Sequence, residues 1–308
     1  MMALALALAA CASSARHAEF LARRGGMTPL VLQGGSFELR AFAATRPPRD
    51  PLIVFIDGDG SPWVDRGRRI SADPTPRMPL ALDLALETPG SVLYLGRPCY
   101  FALQRQPLCS PALWTSRRYS PEVVGSLVAA ASRYAAARHF RRLLLVGYSG
   151  GGTLAALMAR TLPGTVGLVT IAGNLDPQAW ARSHGYLPLT GSLDPAREPA
   201  LGDLPQWHFV GGNDTNVPYR VAQRYFARFP SARVLRYPDF GHVCCWARAW
   251  PSAIAQILAE LSASVSESRH AVLRCRFSPM PARPERISTP RPACPGSPSR
   301  SAGFRSGR

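Results

Sequence analysis

One stretch limits what this chain can fold into more than any other: Leu143-Leu144-Leu145-Val146-Gly147-Tyr148-Ser149-Gly150-Gly151-Gly152-Thr153-Leu154. Its apolar run predicts a buried strand, and the small-residue pattern that follows predicts a helix beginning at once. Between them the chain must turn within Gly147-Tyr148-Ser149-Gly150-Gly151, a Gly-x-Ser-x-Gly. Glycine on both sides of the serine lets strand and helix approach closely, since no side chain obstructs them. The turn lifts Ser149 to the strand's end. The Gly150 amide then faces the space where charge would develop on a carbonyl oxygen attacked by that serine.

The same alternation runs through most of the chain. Residues 37–42 read as a half-buried strand with period two, and 51–56 as a fully buried one. A glycine-rich loop, Asp57-Gly58-Asp59-Gly60-Ser61-Pro62-Trp63, follows the second. Helices are expected at 79–87, 121–139, 151–162, 217–229 and 247–261, and strands at 91–95, 142–146, 166–171, 206–210 and 233–237. The pattern predicts an α/β architecture with a doubly wound, mostly parallel sheet flanked by helices. Residues 174–205 interrupt it as a Pro-rich irregular insertion.

A serine hydroxyl needs a base to take its proton, and a carboxylate to orient that base. His242, in Asp239-Phe240-Gly241-His242, lies between the last strand and the closing helix, and the small Gly241 lets its ring reach back. His184, in the insertion, is the rival. For the acid, Gly211-Gly212-Asn213-Asp214-Thr215-Asn216-Val217-Pro218 makes a tight turn after the penultimate strand. Asp214 there either meets the histidine or caps the next helix. Asp176 is the fallback acid.

The order Ser149, Asp214, His242 resembles that of the α/β-hydrolase superfamily over about residues 37 to 262. The likeness implies a serine esterase or lipase, with a second oxyanion amide from the loop after the third strand, and 174–205 in the place of a cap. In that loop the amide of Asp59, or else Gly60, is the candidate partner of Gly150. The chain departs from the family's pattern by placing Asp57 where a histidine is usual. Carboxylates facing an oxyanion would oppose catalysis, so Asp57 and Asp59 are expected to turn away, toward Arg66, Arg68 or Arg69. Trp63, Trp180, Tyr186 and Leu187-Pro188-Leu189 are candidates for an acyl-binding wall. Within the superfamily, Ile56-Asp57-Gly58-Asp59-Gly60 and Gly96-Arg97-Pro98-Cys99, with the N-terminal segment, resemble bacterial envelope lipoproteins. That resemblance makes residues 1–11 a signal with Cys11 as its lipidation site, although only Met1-Met2 stands where a basic region is usual. It implies a periplasmic, lipid-anchored location.

Residues 12–36 then read as a linker and first helix, and 263–308 as a disordered tail rich in Arg, Pro and Ser. The formal charge is +17 and the chain contains no lysine, so every basic residue is arginine. Nine arginines against two glutamates lie after residue 264. The tail offers only Phe277 and Phe304 for base stacking, so nucleic-acid binding is not expected. Arg117 and Arg118 would suit an acidic substrate if they lie near the cleft. Seven cysteines fit an oxidising compartment, with Cys99 and Cys109 a plausible disulfide. Of Cys244 and Cys245, one is expected to pair elsewhere and the other to stay buried. No cysteine has metal-ligand spacing with histidine, and the chemistry needs neither metal nor organic cofactor. The expected activity is cleavage of a small ester or thioester through an acyl-enzyme. A serine peptidase, or a lipid-anchored binding or scaffolding protein with little activity, remain the alternatives.

Overall fold

The computed structural model describes residues 13–44 and 50–277. Cys11 and the tail beyond residue 277 lie outside the described residues. The chain divides into two compact units, Met1–Ala255 and Gln256–Arg308. The first contains the sheet and the site.

In chain order the strands are β1 (Met27–Gly34), β2 (Phe37–Ala44), β3 (Leu52–Ile56), β4 (Trp63–Val64), β5 (Arg69–Ile70), β6 (Val92–Leu95), β7 (Leu143–Tyr148), β8 (Thr165–Ile171), β9 (Gln206–Gly211) and β10 (Arg233–Tyr237). The helices are α1 (Ser14–Arg24), α2 (Leu80–Leu86), α3 (Pro121–Ala137), α4 (Gly150–Met158), α5 (Pro177–Ser183), α6 (Tyr219–Arg228) and α7 (Trp246–Phe277). Eight strands form one sheet in the order β1-β2-β6-β3-β7-β8-β9-β10, while β4 and β5 form a separate hairpin. Only β2 runs against the others in the large sheet.

Strands β3, β6 and β7 are buried along their whole length, as their unbroken apolar sequences demand. From β3 the sheet grows outward to β6 on one side, and from β7 it grows to β8, β9 and β10 on the other. The reversal falls between β3 and β7, which are paired from Leu52↔Leu143 to Ile56↔Gly147. At such a switch point the loops leaving two neighbouring strands diverge and open a crevice. The 57–60 loop and Ser149 therefore emerge side by side.

The structure corrects three boundaries. The sheet begins at Met27, within the segment read as linker, because β1 pairs with β2 from Met27↔Ala44 to Gly34↔Phe37. β1 is an edge strand, where Pro29 is tolerated. The insertion holds a short helix, α5, which Asp176 caps by accepting from the Ala179 amide at 2.7 Å. Finally, α7 continues to Phe277, so helix replaces the disorder expected from residue 263. No Gly or Pro lies between Pro251 and Pro279 to stop it.

Candidate active site

Ser149 occupies the turn between β7 and α4 with φ 52° and ψ −121°. A non-glycine residue there is strained by about 1–3 kcal/mol, and neighbouring hydrogen bonds hold it in place. Its amide donates to the Ile171 carbonyl at 2.9 Å, and its carbonyl accepts from Gly152 and Asn174 at 2.9 and 3.0 Å. The flanking glycines are sterically required: a Cβ on Gly147 would overlap the Gly151 carbonyl, and one on Gly151 would overlap the Ile56 carbonyl.

His242 presents Nε2 to Ser149 Oγ at 3.0 Å and Nδ1 to Asp214 Oδ2 at 2.8 Å. The loop bearing it is tied down by Trp246, whose indole donates to the His242 carbonyl at 3.0 Å. The Tyr148 ring lies 5.3 Å from the imidazole, packed against it at a tilt. Asp214 is buried, and its second oxygen accepts from the amides of Asn216 (2.9 Å) and Val217 (2.8 Å). Asp214 does not cap α6, whose N-cap is Pro218 with no side-chain cap bond. One Asp214 oxygen faces the histidine and the other organises the turn before α6. The rival His184 is engaged elsewhere, with Nε2 2.8 Å from the Asn216 carbonyl and its ring stacked on Tyr186.

The aspartates of the 57–60 loop are both engaged, but not with Arg66, Arg68 or Arg69. Asp57 folds onto its own loop: Oδ1 accepts from the Gly58 amide at 2.8 Å, and Oδ2 accepts from the Tyr94 hydroxyl at 3.2 Å. Burial pushes its carboxyl up to about 7, against the pull of those donors and Arg97. Asp59 is clamped by two buried arginines, with Arg97 Nη1 at 2.8 Å from Oδ1 and Arg118 Nη1 at 2.8 Å from Oδ2. The Tyr119 hydroxyl lies 2.9 and 2.8 Å from the same two oxygens. Burial alone would raise this carboxyl. Arg118, Arg97 and Tyr119 outweigh it and hold the group down at about 2.

This clamp also shapes the backbone. Arg97 Nη2 donates to the Asp57 carbonyl at 3.1 Å and the Tyr100 hydroxyl to the Asp59 carbonyl at 3.0 Å. The carbonyls on both sides of the Gly58–Asp59 peptide are therefore pinned. The Gly58 amide is already used by Asp57, and among the described residues the amides of Asp59 and Gly60 form no hydrogen bond, so they stay the loop's candidate donors. Gly150 opens α4, where its amide has no intrahelical acceptor. The Asp59 carboxylate and Tyr119 hydroxyl sit where a Cβ on Gly150 would fall, so the clamp borders this second amide as well. Sequence reasoning missed Arg97, Tyr100 and Tyr119 as supports.

A cleft of about 1240 Å³ opens over Ser149 and His242. Its apolar lining comes from the insertion, through Trp180, Tyr186, Leu187 and Leu189, and from Trp63 and Met78. Of these, Leu187 is 86% and Met78 70% exposed, which leaves an apolar rim. The Trp180 indole donates to the Asn216 carbonyl at 3.0 Å, fastening the insertion to the Asp214 turn. Arg118 reaches the cleft but is committed to Asp59, and Arg117 pairs with Glu122.

Cys99 and Cys109 are joined, with Cα atoms 5.6 Å apart. Cys244 and Cys245 are joined to each other, so neither pairs elsewhere. Neither is buried, because the loop after Gly241 keeps both near the surface. Among the described residues no cluster of three or more His, Cys, Asp or Glu is placed to hold a metal ion, and no helix is long and apolar enough to cross a membrane.

No protein-family model and no curated protein matches the chain. Solved structures do. The chain is similar to an esterase of Pyrococcus furiosus at 14% identity and TM-score 0.56, over 77% of this chain and 91% of that one. It is similar to a proline iminopeptidase of Mycobacterium smegmatis at 12% identity and TM-score 0.58, over 77% and 100%. A puromycin-hydrolyzing peptidase of Mycobacterium tuberculosis matches at 17% identity and TM-score 0.56, over 77% of this chain but 39% of its own length. At these identities the likeness establishes the fold, which is that of the α/β-hydrolases.

Proposed function

We propose that the protein is a serine hydrolase that cleaves a carboxylic ester or thioester through an acyl-enzyme. The observation that carries this reading is the chain of contacts from Ser149 Oγ to His242 Nε2 at 3.0 Å and from His242 Nδ1 to Asp214 Oδ2 at 2.8 Å. In this mechanism His242 takes the Ser149 proton as Oγ attacks the carbonyl carbon. The amides of Gly150 and of Asp59 or Gly60 receive the oxyanion. Asp214 fixes the ring's orientation and stabilises the imidazolium. The imidazolium then gives its proton to the leaving group as the carbon–leaving group bond breaks. Water, deprotonated by the same histidine, releases the acid and regenerates the serine.

The alternative of a binding or scaffolding module drew its support from the aspartates of the oxyanion loop. Clamped by Arg97 and Arg118, the Asp59 carboxylate no longer argues against catalysis. The experiment is labelling with a fluorophosphonate probe beside a Ser149→Ala control, followed by p-nitrophenyl esters of increasing chain length and matched p-nitroanilides. Labelling that vanishes in the control and turnover of the esters are expected. A folded protein that takes no label would return the reading to a binding module, and anilide turnover exceeding ester turnover would make it a peptidase.

A further inference from the structure

The hydrolase reading leaves open whether the substrate carries a charge, and the cleft's own ionic groups bear on that. Apart from His242, the charged side chains lining it are Asp57, Asp59, Arg66, Arg77 and Arg118. Three of these are compensated within the wall. Asp59 and Arg118 face each other at 2.8 Å, and Asp57 is turned onto the Gly58 amide and the Tyr94 hydroxyl. Arg66 and Arg77 differ from them. Both are exposed, and among the described residues neither forms an ion pair or hydrogen bond. The acids closest to them in sequence are engaged. Asp65 pairs with Arg69 at 2.9 Å, while Asp73 accepts from the Thr75 amide and the Gln104 side chain.

The backbone under Arg66 adds a second observation. Strands β4 and β5 pair from Trp63↔Ile70 to Val64↔Arg69. Their connection passes through Asp65, Arg66 and Gly67 at φ 52, 57 and 84°. Hairpin tips with positive φ favour Asn and Gly, and a larger side chain is strained there. The chain nevertheless places an arginine at this tip, and that arginine lines the cleft.

We propose that Arg66 and Arg77 form an anion subsite at the mouth of the cleft, so that the preferred substrate is an acyl ester bearing a negatively charged group. Its apolar portion meets Trp180, Tyr186 and Leu189, and its anion meets the two guanidiniums, all of which line the same cleft. The inference rests on the serine hydrolase reading and extends it to a substrate class.

The test compares two fluorophosphonate probes of equal length, one ending in a methyl group and one in a carboxylate, by their second-order labelling rates. The carboxylate probe is expected to react about five- to tenfold faster at low salt, the scale of two partly solvated ion pairs. That advantage is expected to collapse at 1 M salt, where the screening length falls to about 3 Å. Arg66→Gln with Arg77→Gln brings the rate ratio close to one, while Arg224→Gln, which removes an exposed charge on α6 that does not line the cleft, leaves the ratio as in the wild type. A third probe ending in a phosphate distinguishes a carboxylate-bearing from a phosphate-bearing substrate. A wild-type ratio of one or less overturns the subsite and leaves the hydrolase intact, as does a ratio insensitive to salt. Absence of labelling by every probe overturns the hydrolase reading, and the subsite with it.

Discussion

Replacing Asp59 by asparagine removes one negative charge from the centre of a buried cluster while keeping its shape. The cost can be bracketed from two directions. The carboxyl is held at about 2 in the folded protein against an ordinary 3.8, and each unit corresponds to about 1.4 kcal/mol. Ionised Asp59 therefore contributes about 2 kcal/mol. Because the folded value is the lower one, this stability is present above pH 4 and is lost as pH falls through 2. Substitution removes more than protonation does. The side chains of Arg97 and Arg118 are only 4% and 6% exposed, and they keep their charges when the partner is gone. Breaking a buried pair in this way costs about 3–5 kcal/mol.

Asp59→Asn is thus expected to lose about 2–5 kcal/mol, between the protonation cost and the broken-pair cost. Urea unfolding at pH 7, followed by tryptophan fluorescence and extrapolated linearly, measures it. Adding Arg118→Met to the variant should restore part of the loss, since an uncompensated guanidinium is then removed. A loss below about 0.5 kcal/mol, typical of a solvent-exposed pair, would refute the idea that the cluster is one charge-compensated unit. The fluorophosphonate labelling rate of the variant reports separately on whether the pinned carbonyls of Asp57 and Asp59 hold the loop's amides in place.

Other consequences follow from single contacts. Ser149→Gly relieves the positive φ at the turn and should raise stability by about 1 kcal/mol in thermal unfolding while abolishing labelling. Gly150→Ala drives a methyl into the Asp59 carboxylate and Tyr119 hydroxyl, and should lower kcat on a p-nitrophenyl ester about 100-fold or more, as loss of an oxyanion donor does. Asp214→Asn preserves an acceptor for Asn216 and Val217 but not the charge beside His242. A kcat loss of about 10³–10⁴ with near-normal unfolding is expected. Burial holds the His208 imidazole down at about 3 against an ordinary 6.5. The folded state thus resists protonation, and up to about 5 kcal/mol present above pH 6.5 is lost as pH falls toward 3. Because the raised Asp57 carboxyl acts in the opposite direction over the same range, the check is the difference between wild type and His208→Gln in a urea-unfolding series, which should shift against the wild type as pH falls from 6.5 toward 3.

What the sequence made legible is what local physics encodes. An apolar run followed by Gly-x-Ser-x-Gly specifies a strand, a turn and a helix without reference to the rest of the chain. Asp214 and His242 each stand in a loop after a strand, where a parallel sheet delivers its side chains to one edge. β1 was harder to see because it is an edge strand: its burial alternates imperfectly, and Pro29 argues against a strand unless the edge position is known. The distal part of α7 lacks an apolar period, and only the absence of Gly and Pro points to helix.

The clamp on Asp59 was illegible for a different reason. Arg66, Arg68 and Arg69 are near in sequence, and proximity along the chain made them the obvious counter-charges. In the hairpin of β4 and β5, Arg69 instead takes Asp65, and none of the three arginines meets Asp57 or Asp59. Arg97 follows β6, the strand hydrogen-bonded to β3, so it reaches the 57–60 loop from across a strand boundary. Arg118 arrives from the segment before α3, anchored by Nε to the Thr115 carbonyl at 2.6 Å. Both partners are consequences of strand order, which no local pattern encodes. The same argument explains why the chain tolerates a carboxylate beside Gly150. Two guanidiniums and a phenol compensate the Asp59 carboxylate where it borders Gly150, so the charge that would oppose an oxyanion is neutralised and anchors the 57–60 loop instead.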